Sequence, residues 1–219
     1  MSKLFASFTS AGLPHATHYH SLLIKQRQRS AFRAFRLCIA CLAAIAASLP
    51  VYAQTKYLIA PDKSQVQFSL GGVHEVSGQF HVGSGEITFD RKTGAMTGTV
   101  QVDAASGNSD DQSRDKKMAK NELKAQVFPS ITFTPTKFTG VLNENGDSAI
   151  QVQGTFTLIG KTHDITVPMT VHIDGSQCTA KGSFTIPYVA WGVKDPSMFM
   201  LKMEKEVKID LAFNGSLSQ

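Results

Sequence analysis

Cysteine is scarce and badly placed for crosslinking: the chain of 219 residues has three, at positions 38, 41 and 178. Two of them sit in an apolar stretch near the N-terminus, which leaves Cys178 alone in the rest. That excludes an internal disulfide framework and a cysteine-built zinc site there. No acidic residue occurs before residue 54, and the most apolar stretch, Leu37 to Leu49, is too short to span a bilayer, which takes ~20 residues. No glycine-rich loop precedes a helix, so nothing cradles a phosphate. Neither Gly83-Ser84-Gly85 nor Gly182-Ser183-Phe184 supplies a nucleophile elbow. His74, His81, His163 and His172 show no HxH, HxxxH or Glu-xx-His spacing. No catalytic group and no metal site is therefore expected.

Residues 1–53 carry Lys3, Lys25, Arg27, Arg29, Arg33 and Arg36, then the apolar stretch, then Pro50-Val51-Tyr52-Ala53. A basic region, a short apolar core and small residues before a cut describe a secretory signal peptide. Cleavage is expected after Ala53, with Gln54 as the new N-terminus and residues 54–219 as one domain. Cys41 makes a poor lipid-anchor site, because too little apolar sequence precedes it. The formal charge of +5 is a property of the leader; beyond it, 16 basic residues face 17 acidic ones. No basic surface remains for nucleic acid. A domain of this size buries enough surface to fold without staples.

Alternation of apolar and polar residues dominates residues 54–219. It runs through Val66–Leu70, Val76–Val82, Met96–Val102, Ile150–Leu158, Ile165–Ile173, Cys178–Ile186 and Val207–Phe213, with shorter pieces at Glu86–Asp90 and Ile131–Thr134. Turn residues punctuate these runs at Gly71-Gly72, Asp90 to Gly94, Asn143 to Asp147, Gly160-Lys161, Asp174-Gly175 and Asn214-Gly215. One-sided strands with short connections predict an all-β antiparallel barrel or sandwich of about eight strands. The exception is Ser109 to Gln126, where helix formers gather. Ser109 or Asp110 can cap a short helix there, which must end before Pro129. Gly78, Gly98, Gly154 and Gly182 share the apolar face. They mark either corners and close approaches or gaps that hollow the inner wall of a small barrel.

Several stretches then resemble one family. Tyr57 to Phe68, Gly78-Gln79-Phe80, Gly85 to Asp90, the charged helix with Arg114-Asp115, Phe128-Pro129-Ser130-Ile131-Thr132-Phe133 and Gly154 to His163 follow the order and spacing of YceI-like proteins. The resemblance runs from about Tyr57 to Phe213. It implies a lipocalin-like antiparallel barrel around an apolar tunnel, in a periplasmic or secreted protein. It further implies binding of polyisoprenoids, isoprenoid quinones or other long-chain amphiphiles, without a cofactor, without stable membrane insertion and without enzymatic activity. A homodimer is compatible with it. In that reading Phe68, Leu70, Phe80, Phe89, Val100, Phe133, Phe156, Leu158 and Phe184 form the wall, Trp191 and Met198 stand at one end, and His74 near the mouth contacts a headgroup. The stretch Pro187 to Leu201 is either a hairpin capping the core or a pliable gate. Arg114, Lys116 and Lys117 are either a solvated face or a contact for an anionic headgroup. Three rivals stay open: an outer-membrane barrel with its apolar face outward, a lipid-modifying enzyme, and a structural module with a filled core.

Overall fold

The computed structural model describes residues 54–197 and 202–218. The expected leader and its cleavage site, residues 1–53, lie outside the described residues, and so does Met198. Ten strands form one antiparallel sheet: β1 (Gln54–Ile59), β2 (Gln65–Leu70), β3 (Val76–Phe80), β4 (Val82–Asp90), β5 (Met96–Asp103), β6 (Ser130–Gly140), β7 (Gly146–Leu158), β8 (Lys161–Asp174), β9 (Gln177–Ile186) and β10 (Val207–Ser218). Each neighbour pairs with the next in the order β1-β4-β5-β6-β7-β8-β9-β10, and β10 returns to β1. The eight-stranded ring is thereby closed. β2 and β3 prolong β1 and β4 beyond a bend, so the expected all-β barrel of about eight strands with one short helix is the observed architecture.

Closure depends on a corner. β1 and β2 are separated by a single 3-10 turn, Pro61–Lys63, and both lie against the same edge of β10. Lys208 to Ala212 face β2, and Gly215 to Ser218 face β1. At the crossing point Asn214 is held by a cluster of hydrogen bonds, five in all with the Ser64 Oγ donation to its carbonyl at 3.3 Å. Its amide N–H donates to Ser64 Oγ (3.0 Å), its carbonyl accepts from Ala60 N–H (2.7 Å), its Oδ1 accepts from Thr179 Oγ1 (2.9 Å), and its Nδ2 donates to the Lys63 carbonyl (2.5 Å). Asn214-Gly215, a turn by its composition, lies inside strand β10. Gly215 is needed there because a side chain would collide with the Leu58 carbonyl. Tyr57 pins the same corner from within, donating to the Phe213 carbonyl at 3.0 Å. Its burial raises the phenol well above the ordinary range.

Two bulges keep the apolar residues inside. Phe80 and Val82 are buried at even positions, whereas Ile87 and Phe89 are buried at odd ones. The switch falls at a register shift between Val82 and Ser84, where one extra residue turns the strand over. A second shift between Pro135 and Lys137 moves the inward parity from Phe133 to Phe138. It also accommodates Pro135, which has no N–H to give a central strand.

The short helix expected between Ser109 and Gln126 is present. Helix α1 covers Gln112–Lys117 and runs into one wide π turn, Met118–Glu122. Its cap is Asp111 rather than Ser109 or Asp110: the Asp111 carboxylate accepts from Ser113 N–H (2.9 Å) and Arg114 N–H (3.0 Å). Those bonds hold its pKa below the ordinary value. Ser109 has a different task. Its N–H and Oγ both donate to Asp115 Oδ1, at 2.9 and 2.5 Å, while Arg114 Nε donates to Ser109 Oγ and Nη2 to the Ser109 carbonyl, each at 2.7 Å. Arg114-Asp115 thus clamps the helix to the loop that enters it.

Candidate functional site

The strands turn their apolar residues to the barrel axis, and the space between them is not filled. A cavity of about 620 Å³ runs through the interior, within the range of small-molecule sites, ~300–1,000 Å³. The apolar face looks inward, contrary to what an outer-membrane barrel requires. The filled-core rival meets the same observation, since the phenylalanines line a lumen and leave it open.

Of the twelve residues expected to meet a ligand, nine lie in this wall: Phe68, Leu70, Phe80, Phe89, Val100, Phe133, Phe156, Leu158 and Phe184. His74 and Trp191 stand apart from it. His74 is exposed on the turn between β2 and β3, where Gly71-Gly72 ends the inward alternation. Trp191 packs against Phe156, with ring centroids 5.9 Å apart, and stacks face to face on His163 at 4.0 Å. Tyr188 and Val193 of the same segment are buried in the core. As far as residue 197 this stretch is a turn, not a hairpin, and Tyr188, Val193 and Pro196 lie along the cavity. His163, expected in a turn, lies within β8 at an inward-parity position, and its buried Nε2 has no hydrogen-bond partner.

The four inward glycines do not open holes. A side-chain carbon at Gly154 would stand 2.7 Å from the Phe133 ring, and at Gly78 the same distance from the Phe68 ring. Gly182 lies beneath Met169, its direct cross-strand partner. Gly98 has φ +113° and abuts the Glu86 carbonyl. The close-approach reading describes all four. Large side chains lie over three of these glycines: Phe68 over Gly78, Phe133 over Gly154 and Met169 over Gly182.

Sequence alternation missed the polar end of the cavity. Asp111, Arg114, Lys117 and Glu122 are the charged residues that line it, and all belong to the segment of α1 and the π turn. Ser109 and Ser113 join them. Glu122 differs from the others in being buried, with 6 % of its surface exposed and no hydrogen-bond partner for either carboxyl oxygen. Burial pushes its pKa up, against the opposing pull of the Lys117 and Lys194 charges. Among the described residues no three His, Cys, Asp or Glu side chains converge as metal ligands would. The arrangement presents a greasy sleeve with one polar end, suited to a molecule of the same polarity pattern.

Comparison with known proteins gives a consistent picture. A family model described as YceI-like domain matches residues 57–214. No curated protein matches the sequence. Among solved structures, Burkholderia cenocepacia BcnA is 24% identical, with 74% of this chain and 99% of that one covered and a TM-score of 0.59. A polyisoprenoid binding domain from Saccharophagus degradans, implicated in plant cell wall breakdown, is 14% identical over 74% of this chain and 98% of that one, with a TM-score of 0.61. The Campylobacter jejuni YCEI protein is 20% identical over 62% and 81%, with a TM-score of 0.50. At these identities the structural likeness concerns the fold.

Proposed function

The chain belongs to the YceI-like family, and from that premise we propose that it is a binding protein that sequesters or carries a long-chain apolar ligand in its barrel. The single observation that carries this reading is the hollow apolar lumen. Burial of ligand surface there contributes ~25 cal/mol per Å², opposed by the cost of ordering a flexible chain. A polyisoprenoid is the first choice of ligand, supported by the similar barrel of the Saccharophagus domain named for binding one; an isoprenoid quinone or fatty amphiphile fits the same chemistry. The leader-like N-terminal sequence supports export and a periplasmic place of action. A carrier needs no reacting group, and none of the strand-borne wall residues offers a nucleophile with a paired base.

Organic extraction of the purified protein followed by mass spectrometry tests the proposal. The expected extract contains one or a few long-chain species in near-stoichiometric amount. An extract without them, together with no uptake of a C40 isoprenoid or quinone by the delipidated protein, would overturn it.

A further inference from the structure

Resting on the carrier reading, we infer that Glu122 receives the polar end of the bound molecule, and that this end is a neutral hydroxyl rather than a phosphate or carboxylate. Buried polar atoms in proteins are nearly always hydrogen-bonded, and an unpartnered one calls for an explanation. Here both oxygens of a single carboxyl lack partners, in a residue 6 % exposed that forms part of the cavity wall. The fold holds it there with an uncommon device. The π turn closes through Leu123 N–H to the Met118 carbonyl, at 2.9 Å; such turns are rare and gather at functional sites. Met118 and Leu123, on either side, are apolar members of the same wall, and the nearby Tyr188 hydroxyl is already committed to the Glu204 carbonyl at 2.8 Å. Among the described residues no donor meets the geometry of a hydrogen bond to either oxygen, and a donor on the ligand would complete the site.

Charge narrows the class. A phosphate or fatty carboxylate beside Glu122 would set two like charges together, which Arg114, Lys117 and Lys194 would have to balance in addition to Glu122 itself. An ammonium would answer the carboxylate but meet Arg114, Lys117 and Lys194 nearby. A hydroxyl carries no charge and both donates and accepts. It also suits a carboxyl whose ionisation burial has made harder.

The test uses the delipidated full-length protein and three probes with one C20 isoprenoid chain: geranylgeraniol, its methyl ether and its monophosphate, at pH 8. The wild type should bind the alcohol about tenfold or more tighter than the ether, as expected for a hydrogen bond to a charged group, and the phosphate most weakly. Glu122→Met should bring alcohol and ether within about threefold of each other; its retained ether binding shows that the barrel still folds. Glu122→Gln should keep part of the preference for alcohol through its carbonyl and lose discrimination against the phosphate. Equal binding of alcohol and ether by the wild type, tightest binding of the phosphate, or an unchanged preference in Glu122→Met overturns the assignment while leaving the carrier reading intact. Binding of none of the probes by the wild type would sink both.

Discussion

Glu122 costs the ligand-free protein stability, and the cost depends on pH. Its folded-state pKa lies above the ordinary carboxylate value, so the native state holds its proton more firmly than the unfolded chain does. Stability is then fullest below the ordinary value and falls as pH rises through the window up to the folded pKa. Replacing Glu122 by Gln removes that slope. In delipidated protein the variant should match the wild type near pH 4 and exceed it by about 1 kcal/mol above the window, a gain of roughly 2–4 °C in Tm. Thermal melts of both proteins across that range check this; a wild type that gains on the variant as pH rises would contradict it. Nothing in the sequence singled out this residue. A glutamate within Lys116 to Lys124 reads as part of a solvated charged face, and only the π turn swings it inward.

At the scale of elements, strand alternation was legible because each strand has water on one side and the lumen on the other. Where that condition lapsed, the reading did too. β1, with Thr55, Tyr57 and Ile59 inward, escaped notice because Leu58 breaks the alternation with an exposed apolar side chain. The parity switch between Val82 and Ile87 was present in the letters, yet a bulge is needed to explain it. The short helix falls within the expected segment, but composition does not reveal that its second half is a π turn. The clamp likewise appears only in the structure, where Ser109, Arg114 and Asp115 are bonded together. Asp115→Ala leaves the buried Ser109 N–H and hydroxyl without their acceptor, a loss of ~1–3 kcal/mol. Urea unfolding should show it, and amide exchange should quicken across Ser109 to Met118 more than in the strands. Unchanged exchange in that segment would mean that the clamp does not hold the mouth.

For the whole molecule, the fold class was readable but the hollowness was not. Barrel radius follows from strand number and stagger, and stagger is fixed by the two bulges and the Asn214 corner, which periodicity does not display. Which side chains face the lumen was accessible from parity; whether they meet across it was not. His74 and Trp191 were placed by proximity along the chain, where turn direction decides the outcome. A hollow apolar interior makes stability depend on its contents. A ligand present at ~100 times its Kd adds about 2.7 kcal/mol, which should raise the Tm of the delipidated protein by roughly 5–10 °C. Melting curves with and without a C40 isoprenoid decide this, and a Tm indifferent to saturating ligand would speak against an occupied lumen.

The last strand in chain order, β10, is bonded to β9, β2 and β1 together, and its pairing with β1 closes the ring. During synthesis the sheet must wait, as an open trough with its phenylalanines bare, until this final segment arrives. Contacts so distant along the chain form slowly, and a trough of that kind is prone to self-association.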